Sequence, residues 1–285
     1  MDSKNISRYF SIAGVRICVC AEACELFEDA GILAPFEVEP GAVDHVITCR
    51  LVDSLPAPEG ELVFRDSGRK VYRNGDAFVS YIGSEKAHYI RVERQGTNHA
   101  ADVLRGTYRD RISEKILLTA LEVESVIAQQ GAILLHTAWI AHKGEAILFT
   151  APSGTGKSTQ AELWCRCRGA EVINGDRAMV RCTETGAEAV GIPFCGSSGI
   201  SKNRTLPIRA VVYLTQAPQN TVTRLNGVKA FRNIWEGCSV HIWNREDVAK
   251  ATDAVQRLIA AVPVYHLACT PDEAAVSALE AVLYK

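Results

Sequence analysis

Residues 146–168 read Ala146-Ile147-Leu148-Phe149-Thr150, then Ala151-Pro152-Ser153-Gly154-Thr155-Gly156-Lys157-Ser158-Thr159, then Gln160-Ala161-Glu162-Leu163-Trp164-Cys165-Arg166-Cys167-Arg168. The first five residues predict a strand and the last nine a helix. The glycine-rich turn between them fits a P-loop, because that motif needs a strand before it and a helix after it. Small residues let backbone amides turn inward around an anion, and the helix start adds its positive dipole end. In such a loop Lys157 reaches the β- and γ-phosphates and the Ser158 hydroxyl ligates Mg²⁺. The candidate nucleotide-binding residues are therefore Ser153, Gly154, Thr155, Gly156, Lys157, Ser158 and Thr159. Ala151 stands where the motif has its first glycine, so ordinary extended geometry is expected there. Lys157 also argues against a dinucleotide fingerprint.

A phosphoryl-transfer site also needs an acid. Asp176 follows the short strand predicted at Glu171–Asn174, nineteen residues beyond Lys157. It is the candidate acid to organise metal or nucleophile, with Ser158 on the metal side. The alternative is a plain turn residue in Asn174-Gly175-Asp176-Arg177. His136 interrupts the apolar run Ile133-Leu134-Leu135-His136 and is a candidate to line the site, against a structural role in its strand. Glu162 lies within the helix and reads as a solvated face.

Outward from the loop, strands and helices alternate. Strands are expected at Ala132–Ala141, Ala146–Thr150, Glu171–Asn174, Ala178–Thr183, Ala187–Gly191, Arg209–Leu214, Thr221–Leu225 and Val264–Ala268. Helices are expected to about Arg168, near Val228–Glu236, over Arg245–Ala261 and from Asp272. Ser113–Gln130 carries a helical apolar stripe, with Ser113 as N-cap and Gly131 as stop. Before it, residues 7–20 read as one strand-like stretch and Cys24–Leu33 as a short helix or loop. Short strands separated by Pro56, Pro58, Gly60, Asn74-Gly75 and Gly83 then read as antiparallel hairpins. The organisation expected is a smaller β-rich N-terminal domain, 1–112, and an α/β domain with a mixed sheet, 113–285, their exposed junction near Gly106.

Composition excludes several classes. The chain has 285 residues, 47% hydrophobic and 22% charged, which argues against disorder, collagen and coiled coil. Its formal net charge of −2 gives no global field that calls for nucleic acid or an anionic membrane. The longest uncharged run near a membrane length, Ser125–His142, is broken by Gln129, Gln130, Gly131 and His136, so no membrane partner is expected. Lys4, Arg8, Arg16 and Glu22 leave no export-type segment at the start, and a cytoplasmic location follows as an expectation. The ten cysteines then read as free thiols. Cys18, Cys20, Cys24, Cys165 and Cys167 form no CxxC pair, and their spacing reads as small core hydrophobes rather than a zinc site.

From Leu135 to Val180 the sequence resembles the catalytic domain of HPr kinase/phosphorylase and its relatives, whose P-loop core is shared with phosphoenolpyruvate carboxykinase. The matching residues are Leu135-His136, Ile147–Thr150, Ser153–Thr159 and Ile173-Asn174-Gly175-Asp176. Gly191-Ile192-Pro193-Phe194, Leu206–Leu214, Val264–Leu267 and Thr270-Pro271-Asp272 extend the likeness over about residues 113–285. That family has a His before the loop and an Asp-Asp pair after it; here Gly175 replaces the first Asp.

The resemblance implies a P-loop kinase-type core in the α/β domain. It also implies an ATP/Mg²⁺-dependent kinase that transfers the γ-phosphate to a hydroxyl of a protein, peptide or small molecule. Asp176 would act as base, Lys157 would stabilise the migrating charge and His136 would line the site. Lys202, Asn203 and Arg204 offer a polar loop for substrate, or a solvated loop. The missing Asp supports the alternative of a non-catalytic nucleotide-binding sensor or regulatory module. A third reading, an unrelated NTPase module, would want a longer hydrophobic run before its acid than Val172-Ile173. The nucleotide base, the acceptor and the oligomeric state are left open.

Overall fold

The computed structural model describes residues 6–21, 32–84, 86–106 and 114–285, with the side chains of 114–116 also set aside. Cys24, Ser113 and the junction at 107–112 lie outside the described residues. The chain divides into two compact units, Met1–Val123 and Glu124–Lys285. Together they make an α/β protein with mixed sheets.

The N-terminal unit is built on one eight-stranded sheet. In chain order its strands are β1 (Ile6–Ile12), β2 (Val15–Ala21), β3 (His45–Val52), β4 (Glu61–Arg65), β5 (Arg69–Asn74), β6 (Ala77–Gly83), β7 (His88–Gln95) and β8 (Asn98–Leu104). Their order across the sheet is β1-β2-β3-β8-β7-β6-β5-β4. The stretch 7–20, expected as one strand, is a hairpin. Its two-residue turn puts Ala13 at φ 56° and Gly14 at φ 82°. An alanine in left-handed geometry is a turn that sequence rarely advertises. The hairpins from β4 to β8 are antiparallel as expected, but β3 pairs in parallel with both β2 and β8. The long connection between β2 and β3 permits that crossover.

The helix expected over 113–130 is two: α1 (Glu114–Leu121) and α2 (Val123–Gln129). Glu122 interrupts it at φ 51°, and its amide takes the carbonyl of Thr119 at 3.1 Å. The apolar stripe continues through the break, so hydrophobic periodicity alone gave no sign of it. α1 packs on β3, β7 and β8.

The C-terminal unit adds β9 (Ala132–His136), β10 (Ala138–His142), β11 (Glu145–Thr150), α3 (Lys157–Arg168), β12 (Glu171–Asn174), β13 (Arg177–Thr183), β14 (Gly186–Val190) and β15 (Thr205–Gln216). It continues with β16 (Thr221–Leu225), α4 (Gly227–Trp235), β17 (Cys238–Ser239), α5 (Arg245–Ala261), β18 (Val264–Cys269) and α6 (Glu273–Leu283). The order is β12-β10-β11-β15-β14-β13-β9-β17, with β18 also pairing β15 and β16 pairing β18.

Two strands carry the chain between the halves of this sheet. β15 pairs with β14 over Thr205–Pro207, with β11 from Ile208 and with β18 from Val211. The strand expected at Ala132–Ala141 splits at Thr137: β9 joins β13 while β10 joins β11 and β12. Thr137 is fully buried, and its hydroxyl donates to the Phe149 carbonyl at 2.9 Å.

Alternation along β11 builds two cores. Ile147 and Phe149 pack with Ala161 and Trp164 of α3 and Val276 and Leu279 of α6. Ala146 and Leu148 face Ile133, Leu135, Ile234, Val255 and Leu258 on β9, α4 and α5. Asn244 caps α5 by accepting from the Glu246 amide, and Asp272 caps α6 by accepting from Ala274 and Ala275. No helix among the described residues is long and apolar enough to cross a membrane.

In the N-terminal unit His45 Nδ1 lies 3.0 Å from His99 Nε2. Burial, and then the charges of Arg94 and His45, push the His99 imidazole down from 6.5 to about 3. The unfolded chain therefore takes up this proton first as pH falls. The contribution is complete above pH 6.5 and is lost between there and about 3. Denaturant unfolding should show stability falling by up to ~1.4 kcal/mol per pH unit from this group. His99→Asn should flatten that slope, and an unchanged slope would remove His99 as its source.

Candidate functional site

The glycine-rich loop leaves β11 at Thr150 and enters α3 at Lys157. Ala151 keeps a negative φ, as expected, while Gly154 and Gly156 sit at 78° and 116°. Gly156 occupies the N-cap position of α3 with no side-chain cap. A side chain there would meet strain rather than a clash, so glycine is kept for its backbone freedom. The first-turn amides are left without a capping side chain, which is the arrangement that favours an anion. Thr155 folds back on the loop, its Oγ1 donating to the Pro152 carbonyl at 2.9 Å. Ser153, Gly154, Ser158 and Thr159 are exposed. Glu162 is exposed too, on the solvated face expected of it.

Lys157 is buried, and its Nζ donates to the Ala151 and Pro152 carbonyls at 3.0 and 3.4 Å. Burial lowers its pKa from the usual lysine value, and the Asp176 charge works in the opposite direction. Asp176 Oδ1 lies 3.4 Å from His136 Nε2, and its Oδ2 accepts from Arg177 Nε at 3.2 Å. The His136 contact first, and then the Arg177 charge, hold this carboxyl below its usual range against the effect of burial. His136 and Asp176 meet because β9 and β13 are antiparallel neighbours, with His136 opposite Arg177.

Three residues of this cluster went unassigned in the sequence. Asn174 is fully buried, and its Oδ1 accepts from the Asp176 and Arg177 amides at 2.8 and 2.9 Å. Its Nδ2 donates to the Ile192 carbonyl at 2.9 Å. This Asx turn fixes how Asp176 leaves β12, and an Asn two residues before an Asp was the available signal. Arg177 stacks over the Phe194 ring at 5.0 Å and donates to the Ser239 hydroxyl. Ser198 is the third, and nothing local in sequence marks it.

A Cβ at Gly175 would lie 2.2 Å from Ser198 Oγ and 2.6 Å from Ser198 Cβ. Ser198 is itself held by donating to the Cys195 carbonyl at 2.6 Å. The position that follows Asn174 therefore takes no side chain while the 196–198 turn stays in place. Lys202 and Arg204 both pair with Glu171, which favours their reading as a surface ion-pair loop. Among the described residues the cysteines are free, and no group of three or more His, Cys, Asp or Glu is arranged to hold a metal ion.

The geometry defines an α/β protein with a glycine-rich loop at a helix start, a buried loop lysine, and an ionised carboxylate held by His136 and Arg177 after β12. The chain belongs to the family described as SynChlorMet cassette protein ScmC, whose model matches residues 108–283. No curated protein matches the sequence. A solved structure titled as the Hpr(Ser) kinase/phosphatase from Coxiella burnetii is a distant likeness, 8% identical with a TM-score of 0.31. It covers 52% of this chain and 95% of its own.

Crowding at Gly175 gives a direct test of this geometry. Gly175→Asp should lower stability by ~1–3 kcal/mol, the usual cost of overpacking. Adding Ser198→Gly should restore most of that loss in thermal unfolding. A Gly175→Asp protein as stable as wild type would show that Ser198 moves aside freely.

Proposed function

We propose that this protein is an ATP/Mg²⁺-dependent phosphotransferase acting on a hydroxyl group of a protein, peptide or small molecule. The observation that carries the reading is the uncapped α3 start with the buried Lys157 as its first residue, and Asp176 held by His136 and Arg177 at the end of β12. The P-loop kinase-type reading of the C-terminal unit rests on the same residues. Backbone amides of Ser153–Thr159 would hold the phosphates, and the Lys157 ammonium would exchange its two loop carbonyls for β- and γ-phosphate oxygens.

A hydroxyl and a carboxylate suit Mg²⁺, which keeps several waters and needs few protein ligands. Ser158 and Asp176 are the residues that would hold it. The metal would supply charge neutralisation at the phosphates. In the transfer, the acceptor oxygen forms its bond to the γ-phosphorus as the bond to the β-bridging oxygen breaks. The hydroxyl proton passes to the Asp176 carboxylate. His136 and Arg177 keep that carboxylate ionised and aimed, and Asn174 sets the backbone beneath it.

Crowding of Gly175 by Ser198 favours a second reading, a nucleotide-binding regulatory module that turns over slowly or not at all. Two variants separate the readings. ATP with Mg²⁺ should raise the melting temperature, and Lys157→Ala should abolish that shift. Asp176→Asn should keep most of the shift, because the amide oxygen can still face the metal, while lowering phosphoryl transfer by ~10²–10⁴-fold. Transfer is followed from labelled ATP to a panel of hydroxyl-bearing acceptors. Equal transfer by wild type and Asp176→Asn would refute the base assignment. Tight ATP binding with no transfer to any acceptor would favour the regulatory reading, and no thermal shift at millimolar ATP would refute both.

A further inference from the structure

β11, β12, β15 and β18 all run parallel. β12 and β11 are each antiparallel to β10, and β15 is parallel to both β11 and β18. Their carboxyl ends therefore lie along one edge, where ligands of open α/β sheets bind. The glycine-rich loop follows β11 near the middle of that edge. Asp176 follows β12 on one flank. On the other flank, beyond the ends of β15 and β18, lies a cavity of about 510 Å³. It is walled by Gly156, Thr159 and Gln160 of the loop and α3, by Leu214 of β15, and by Ala217 and Cys269. That volume is within the ~300–1,000 Å³ of small-molecule sites.

Gln160 stands out among these residues. It is 2% exposed, and its Oε1 is buried with no hydrogen-bond partner. Its Nε2 reaches only the Cys269 thiol, at 3.4 Å. A buried amide with one face unsatisfied is costly, and most such groups in folded proteins find a partner. Here the amide borders a cavity that opens directly from the phosphate loop. A ligand with a donor beside an acceptor would satisfy it once the amide turns from the Cys269 thiol toward the cavity.

We propose that this cavity receives the nucleoside end of the bound nucleotide and that the Gln160 amide pairs with an adenine edge. The inference rests on the phosphate-loop reading above and adds the base to it. Adenine offers its exocyclic amine beside N7 on one edge and beside N1 on the other, so both edges match an amide's acceptor and donor. Guanine offers two acceptors on its O6/N7 edge and matches through its other edge alone. Leu214, Ala217 and Cys269 supply an apolar wall for the ring. The nucleotide then runs in one direction, with its base beyond β18 and its terminal phosphate toward Asp176.

The test compares ATP and inorganic tripolyphosphate, each with Mg²⁺, by calorimetry on the whole protein. Wild type should bind ATP at least ~10-fold more tightly than tripolyphosphate, the effect of one bidentate amide–base pair. Gln160→Met keeps the side-chain length and removes the amide. Ala217→Phe, in a loop at the cavity wall, fills the space without touching the core. Both should bring ATP down to the tripolyphosphate affinity and leave tripolyphosphate binding unchanged. Unliganded melting curves show that each variant folds. If ATP binds no tighter than tripolyphosphate while Lys157→Ala abolishes both, the base pocket is refuted and the phosphate loop stands. An ATP affinity untouched by Gln160→Met refutes the adenine pairing. Binding of neither ligand refutes the phosphate reading and the pocket together.

Discussion

The amide of Thr137 donates to the main-chain carbonyl of Asp176 at 2.8 Å. That bond sits where one run of chain leaves β9 and becomes β10, and where another leaves β12 and becomes β13. Both runs change sheet partners there, and each would otherwise leave buried backbone groups unpaired at the crossing. The Thr137 hydroxyl covers the next carbonyl, on Phe149. Asn174 covers the neighbouring amides. With the crossing sealed, His136 and Asp176 are brought together from strands far apart in sequence.

This explains why the candidate site was half legible. The glycine-rich loop could be read because its chemistry is local: strand, small residues, lysine, hydroxyls and helix are contiguous. Its expected backbone, including an unstrained Ala151, follows from residue types alone. Asp176 was legible as an acid at a strand end, but its partners were not. Arg177 and Ser239 are 62 residues apart in sequence, and Ser198 reaches Gly175 through a turn with no signature of its own. Such contacts are set by topology, which periodicity does not encode.

The fold shows the same division. Predicted elements with local signals matched closely: β12, β16 and α5 have the expected ends, because turn residues and caps mark them. Two breaks made by positive φ at ordinary residues were missed, whereas the one at Lys143, followed by Gly144, was marked by its turn residues. Ala13 turns a predicted strand into a hairpin, and Glu122 breaks a predicted helix. In both places the apolar pattern runs on unbroken, since both sides of the break still face a core. The parallel pairings of β3 were equally hidden, because a strand's residues do not state which neighbour it takes.

Lys157 shows how the site could change on binding. Its ammonium is buried and satisfied by two neutral carbonyls of its own loop, and burial lowers its pKa. Neutral acceptors are weaker partners for an ammonium than anionic ones. A phosphate oxygen in the loop would therefore draw Lys157 away from Ala151 and Pro152 and raise its pKa again. The same anion would repel the Asp176 carboxylate, whose counterweights are His136 and Arg177. A second carboxylate at position 175 would add to that repulsion with no further cation in contact, in addition to its clash with Ser198. One acid already engages both His136 and Arg177, and glycine at 175 is consistent with the space available there.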